Sequence, residues 1–329
     1  MTTAARVSGI RCYGVPADLP KGRHLHLRGR GTTFFREVPG STDAPTVVLL
    51  HGWLATSALN WFQVFEPLGK HFRVLAPDLR GHGRGIKSRR RFRLTDCADD
   101  MAALIDKLGT GAVVAVGYSL GGPVAQLLWR RHPKLVAGLV LCATGGVFVP
   151  GKRERFVYRS VMGALVATAR LGQLSAQWPR FAIGRFIPGH QSDRPIQSTR
   201  WASAEMRGHD VRMVIEAAHS GTLYNARQWI REIDIPTAVL VTTEDRVMPA
   251  SRQLEMARQI PNAKIYRLHA GHMLCASPAF ARPLVRACRE VAQRAFLAPG
   301  SSDSQVSFGT QSSRGSAAEA TRARGLAST

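Results

Sequence analysis

The chain has 329 residues, 45% of them hydrophobic, and carries a formal net charge of +23 from 45 Lys and Arg against 22 Asp and Glu. That size and apolar content predict one large core with an insertion, and exclude a disordered or fibrous chain. Arginine far outnumbers lysine and is scattered from Arg23 to Arg324 in no single block. No zinc spacing, RNP-like strand or basic heptad helix accompanies it, so the sequence excludes a nucleic-acid partner and predicts only a weak attraction to anionic membrane surfaces.

Five cysteines, Cys12, Cys97, Cys142, Cys275 and Cys288, stand far apart with no C-x-x-C pair. Reduced thiols and a cytoplasmic protein, at most peripheral at a membrane, follow as the expectation. The first 20 residues lack the apolar run of a signal peptide, and no apolar stretch reaches the ~18 residues of a membrane span. Nothing in the pattern sets an oligomeric state.

After an irregular segment, 1–22, the stretches 23–27 and 32–38 flank Gly29-Arg30-Gly31 and read as an antiparallel hairpin at a sheet edge. Residues 46–50 are an uninterrupted apolar run, the mark of a strand buried on both faces, and they deliver His51-Gly52-Trp53-Leu54 at its end. A helix is predicted over 60–70, then a buried strand over 72–76 that closes on Pro77-Asp78-Leu79-Arg80-Gly81-His82-Gly83. Thr95 is placed as N-cap of a helix to 108, with Met101, Leu104, Ile105 and Leu108 on one face. Strands follow at 112–116 and 139–143, with a helix over 124–131 between them.

From 145 to 231 the strand rhythm stops, and the segment reads as a mostly helical insertion over the strand ends. It resumes with a strand at 238–242, a helix at 251–259, a strand at 264–268 and a helix at 278–296. Alternating strands and helices specify an α/β fold with a mostly parallel central sheet covered on both faces, made here by 23–144 and 232–298. The last stretch, 299–329, is Ser, Gly, Ala and Arg with almost no large apolar side chain and reads as a disordered tail.

One stretch organises the chemistry. Gly117-Tyr118-Ser119-Leu120-Gly121-Gly122 lies between the 112–116 strand and the following helix, a G-x-S-x-G sequence at a strand-to-helix turn. Small residues two before and two after the serine are needed there because the sharp turn brings those positions together. A serine in such a turn can simply cap a helix, yet it also stands as a candidate nucleophile with helix N–H groups beside it. A hydroxyl nucleophile needs a base, and the base needs an orienting acid. Two later strand ends supply candidates, Val241-Thr242-Thr243-Glu244-Asp245 and Ala270-Gly271-His272. The order Ser119, Asp245, His272 is that of one class of hydrolase. Glu244 rivals Asp245 as the acid and His269 rivals His272 as the base. His51 and His82 are assigned to holding loops, His132, His209 and His219 to the surface or the insertion, and Cys275 to packing. No close ligand spacing suggests a metal, and no G-x-G-x-x-G follows the first strand, so no cofactor is expected.

From about Arg23 to Phe296 the chain resembles the α/β-hydrolase superfamily, in its serine-nucleophile branch with a helical cap. The family's His-Gly segment matches His51-Gly52, and its aspartate-arginine-glycine loop matches Asp78 to Gly83. Its strand-end acid with proline four residues on matches Asp245 and Pro249, and the position of its histidine matches His272. Two departures stand out: Gly85 where the family usually has serine, and Thr242 where it often has glycine. The resemblance implies Ser119, Asp245 and His272 as the catalytic set, backbone N–H groups of Trp53 and Leu120 as oxyanion donors, and Trp53, Tyr118 and Leu120 as pocket walls. The 145–231 insertion leaves the sheet at the edge where Ser119, Asp245 and His272 arrive, so it is expected to form a lid whose apolar side chains, Phe156, Val161, Leu165, Trp178 and Phe181 among them, make the acyl side of the pocket. The activity implied is hydrolysis of a small or medium-chain carboxylic ester through an acyl-enzyme. Amidase, carbon–carbon hydrolase, perhydrolase, acyltransferase and non-catalytic lipid-binding roles stay open on the same fold. Epoxide hydrolases and dehalogenases share the fold but use aspartate at the elbow.

Overall fold

A computed structural model describes residues 19–149, 151–170 and 195–296. The segment 1–18, residues 171–194, which contain Trp178 and Phe181, and the tail from 297 lie outside the described residues.

Eight strands form one sheet: β1 (Gly22–Leu27), β2 (Gly31–Val38), β3 (Thr46–Leu50), β4 (Arg73–Pro77), β5 (Val113–Tyr118), β6 (Val136–Cys142), β7 (Thr237–Thr242) and β8 (Lys264–Leu268). Their order is β1-β2-β4-β3-β5-β6-β7-β8. β1 and β2 pair antiparallel, as do β2 and β4, and every other pair is parallel. All eight expected strands are present, with ends shifted by a few residues.

Every residue of β3 and of β5 is buried. Strand alternation splits them between two cores: Val48, Leu50, Ala115, Leu139, Leu141, Val239 and Val241 face one, and Val47, Leu49, Val114, Val116, Val140 and Leu240 face the other. The helices α3 (Leu94–Leu108), α4 (Gly121–Arg131) and α8 (Ala250–Gln259) contribute to the first core. The helices α1 (Ser57–Trp61), α2 (Phe65–Gly69) and α9 (Ala281–Phe296) contribute to the second.

Three local expectations are corrected. The single helix over 60–70 is two short ones, α1 and α2. A continuous helix would drive the Pro67 ring into the Gln63 carbonyl; placed third in α2, the proline lacks only an N–H that a first turn leaves unused. Thr95 is not an N-cap: α3 starts at Leu94, and Arg93 occupies the cap without a side-chain bond. The expected 278–296 helix is a 3-10 turn, Pro278–Phe280, followed by α9.

Between β6 and β7 lie α5 (Lys152–Arg170), α6 (Pro195–Met206) and α7 (Val211–Leu223). α7 sits against the carboxyl edge of the sheet. The Trp53 indole Nε1 donates to Val214 O over 2.8 Å, and a Cβ placed on Gly221 would lie 3.2 Å from the Leu120 side chain. α5 packs on α7 from farther out and turns Val166 inward. Phe156 and Val161, expected in the pocket, are 72% and 51% exposed, and Leu165 is exposed too. Val161 and Leu165 stand about 140° and 100° around α5 from Val166, and Phe156 about 80° on its other flank, so only the narrow stripe at Val166 is covered and these three meet solvent.

Candidate active site

The first half of the chain runs from β3 outward to β4, and the second returns past β3 to β5 and on to β6. The ends of β3 and β5 therefore border the switch point of the sheet, where connections leave in opposite directions and a crevice opens. His51-Gly52-Trp53 leaves β3 there, and Ser119 follows β5. The two segments touch, since a Cβ on Gly52 would lie 3.3 Å from Ser119 Cβ.

Ser119 has φ +50°, a left-handed conformation that costs a non-glycine residue about 1–3 kcal/mol and must be held by its surroundings. Its N–H donates to Cys142 O at 2.9 Å, and its carbonyl accepts from Thr144 Oγ1 at 2.8 Å. The flanking glycines are steric necessities. A Cβ at Gly117 would stand 2.4 Å from Gly121 O, and one at Gly121 would stand 2.0 Å from Leu50 O.

The structure brings together Ser119, His272 and Asp245. Ser119 Oγ lies 3.0 Å from His272 Nε2, and His272 Nδ1 lies 2.8 Å from Asp245 Oδ2. With Nδ1–H donating to the carboxylate, Nε2 is left bare and can accept the serine proton. Asp245 is buried, and its oxygens are saturated: Oδ1 accepts from Val247 N at 2.9 Å and Met248 N at 2.8 Å, and Oδ2 also accepts from Thr242 Oγ1 at 2.8 Å. Burial alone would push this carboxyl up, but the hydrogen bond and charge of His272, with the Met248 N–H and Thr242 hydroxyl, hold it below the usual carboxylate range.

The rivals fall elsewhere. Glu244 is exposed, and the His269 ring meets Thr243 Oγ1 at 3.2 Å. His51 is buried and ties two loops, its Nε2 accepting from Leu79 N at 2.8 Å and its Nδ1–H donating to Gly52 O at 2.8 Å. His209 and His219 belong to the helical segment as expected, but neither is exposed, and His209 Nδ1 accepts from Gly83 N at 2.7 Å. Among the described residues no group of histidine, cysteine and carboxylate side chains could hold a metal ion.

Trp53 follows the end of β3 and Leu120 follows Ser119, and neither backbone N–H has an acceptor among the described residues. The Trp53 side chain is 43% exposed at the mouth, whereas Leu120 is buried against the core. Tyr118 is corrected. It is 2% exposed, with its ring edge-on to Trp61 and Phe280, so it is not a pocket wall. Its hydroxyl donates to His272 O at 2.6 Å, binding the histidine loop to the residue before the serine. Side chains alternate across a strand, so Tyr118, the last residue of β5, points into the second core with Val116, a signal the sequence already held.

Gln253 was missed altogether. Its Nε2 donates to Thr242 Oγ1 at 2.9 Å and to Met248 O at 2.6 Å, while its Oε1 accepts from Thr242 N at 3.1 Å. A glutamine on an amphipathic helix carries no sequence signal for that role. Both family departures have local reasons. Thr242 supplies a hydroxyl to Asp245, and a Cβ at Gly85 would lie 2.4 Å from Leu79 O.

A sheet with this strand order and a serine at the β5 turn defines an α/β hydrolase architecture. The chain belongs to the α/β-hydrolase fold family, whose model matches residues 45–278. It is 38% identical over 248 residues to an uncharacterized protein of Mycobacterium tuberculosis, covering 69% of this chain and 71% of that one. A poly(3-hydroxyalkanoate) depolymerase of Ectopseudomonas oleovorans is 28% identical over 265 residues, covering 79% and 90%. A bifunctional esterase/perhydrolase of Acinetobacter calcoaceticus is 26% identical over 228 residues, covering 67% and 81%. Among solved structures, an esterase from Exiguobacterium antarcticum superposes with a TM-score of 0.67 at 20% identity, over 82% of this chain and all (100%) of that one. A likeness at that identity speaks for the fold alone.

Proposed function

We propose that the protein is a serine hydrolase that cleaves a small or medium-chain carboxylic ester through an acyl-enzyme. The observation that carries this reading is the 3.0 Å approach of Ser119 Oγ to His272 Nε2, with Asp245 2.8 Å behind the ring. His272 accepts the Ser119 proton as Oγ attacks the ester carbonyl, forming a tetrahedral oxyanion. The free N–H groups of Trp53 and Leu120 receive that oxyanion, each such donor being worth about 3 kcal/mol of barrier. The imidazolium returns its proton to the leaving alkoxide, and the acyl group remains on Oγ. Water, deprotonated by the same nitrogen, then releases the acid. Asp245 stays ionised throughout and stabilises the transient imidazolium.

The relatives named as a depolymerase of poly(3-hydroxyalkanoate) and as an esterase/perhydrolase agree with acyl chemistry of this kind. The test is steady-state hydrolysis of p-nitrophenyl esters from acetate to decanoate by the wild type and Ser119→Ala. Turnover with saturable kinetics that vanishes in the variant supports the reading. Undiminished hydrolysis by folded Ser119→Ala refutes it.

A further inference from the structure

A second concave site lies away from Ser119, where the loop after β4 meets α5 and α7. It is an open cavity of about 480 Å³ lined by Lys87, Ser88, Arg89, Arg170, Asp210 and Arg212. Basic side chains are common on a chain of charge +23, so the arrangement matters more than their number. Two of these side chains, Arg170 and Arg212, are tied to Glu216, a carboxylate on α7 that is 2% exposed. It accepts from Phe92 N at 2.7 Å, from Arg170 Nε at 2.6 Å and from Arg212 Nη1 at 3.1 Å. Arg212 also donates to Ser88 O and Arg90 O. One buried acid thus fixes two guanidinium groups from two helices together with the backbone of the loop.

The charges do not balance. Four cations, Lys87, Arg89, Arg170 and Arg212, meet two carboxylates, Asp210 and Glu216, which leaves two positive charges around the cavity. Glu216 is already shared by two arginines, and the Asp210 side chain caps α7 by accepting from Met213 N at 3.0 Å. Among the described residues the Lys87 ammonium, the Arg89 guanidinium and the terminal nitrogens of Arg170 have no hydrogen-bond acceptor. Donors without acceptors on Lys87, Arg89 and Arg170, the last held by a buried acid, line a concavity with a residual double positive charge and match a doubly charged tetrahedral anion.

We propose that this cavity binds the phosphate of a phosphomonoester, held by Lys87, Arg89 and the outer nitrogens of Arg170, with Arg212 fixed behind them by Glu216. The site is separate from the ester-cleaving centre. It lies at the first turn of α7, whose last turns touch Leu120 roughly 15 Å farther along the helix axis. The proposal does not depend on what Ser119 does. The phosphate can arrive on a small soluble molecule or as the headgroup of an anionic lipid, and the same donors would take either.

The experiment is calorimetric titration of the full-length protein with glycerol 3-phosphate at fixed ionic strength, with glutarate as a doubly charged control. Wild-type protein should bind glycerol 3-phosphate at least about tenfold more tightly than glutarate. Lys87→Ala/Arg89→Ala should lose about tenfold or more in affinity, and Lys87→Arg/Arg89→Lys should retain most of it, because charge and donors are kept. Neither pair touches Glu216, so an unchanged melting temperature reports an intact fold. Sedimentation with phosphatidylcholine vesicles, with and without phosphatidic acid, separates the sources. Binding that requires phosphatidic acid and is lost in the alanine pair identifies a lipid headgroup, while binding of glycerol 3-phosphate without vesicle binding identifies a soluble ligand. Equal affinity of wild type and alanine pair, equal affinity for glutarate, or no wild-type binding of either phosphate source overturns the proposal.

Discussion

At the scale of single residues, the geometry assigns unequal burdens. Ser119→Ala and His272→Ala should each lower kcat by several orders of magnitude with the melting temperature unchanged, because nucleophile and base act as one unit. Asp245→Asn should be strongly impaired but less completely, since an asparagine can hold the ring yet cannot stabilise its charge. Glu244→Gln should leave turnover unchanged; a crippled Glu244→Gln would mean that the exposed neighbour is the acid. Tyr118→Phe removes only the hydroxyl that donates to His272 O. It is expected to lower kcat about tenfold with KM unchanged, as loosening of a catalytic group costs rate rather than binding. A fall in melting temperature with kcat intact would make Tyr118 a packing residue alone. The principal residues were legible because the chemistry leaves a pattern: a serine between glycines, an acid and a histidine at later strand ends. Thr242, Gln253 and the Tyr118 hydroxyl were not. They act on the site through contacts between elements, and nothing in their local sequence marks that.

At the scale of elements, the turn from β5 into α4 is the most constrained part of the fold. Gly121→Ala sets a Cβ 2.0 Å from Leu50 O, where backbone and not a pliable side chain must yield. We expect a loss of about 3 kcal/mol or more in chemical denaturation. A variant as stable as the wild type would mean that β3 and the turn are not packed as described. α7 is the second such element, since it reaches both segments that flank Ser119. Trp53→Phe keeps an aromatic side chain but removes the indole N–H that donates to Val214 O. It should cost about 1 kcal/mol of stability and lower kcat/KM, and unchanged values of both would separate α7 from the β3 loop. The strands were legible in sequence because a strand buried on both faces has to be continuously apolar, as 47–50 and 112–116 are. The split into α1 and α2 turns on Pro67, which the first turn of α2 accommodates and a continuous helix would not. The outward face of α5 could not be inferred, because a helix rich in small residues has apolar positions on more than one side and only its partner decides which is covered.

At the scale of the whole molecule, the boundary between the sheet and its helical segment holds two buried imidazoles, His51 and His82, and a half-buried one, His209. His82 lies 5.3 Å, centre to centre, from both His51 and His209. Burial lowers all three, His209 to about 4; His51 and His209 add to this at His82, and His51 and Lys87 at His209, while Asp78 opposes it at His51 and His209. For His209 the folded value lies below the unfolded one of 6.5, so between these the unfolded chain binds more protons. Stability from its neutral form is therefore complete above about pH 6.5 and is lost as pH falls toward about 4. Melting temperature should drop through that window, less steeply in His209→Asn, whose amide oxygen can still accept from Gly83 N without titrating. Identical profiles would assign acid sensitivity elsewhere. Among the described residues no helix is long and apolar enough to cross a membrane. The central claim, that Ser119 is activated by His272 for covalent attack on an acyl carbonyl, is tested most directly by a fluorophosphonate probe with peptide mapping by mass spectrometry. One adduct on Ser119 of the wild type, with labelling slowed by orders of magnitude in His272→Ala, is the predicted result. An unlabelled Ser119 in folded protein that still hydrolyses esters would contradict it.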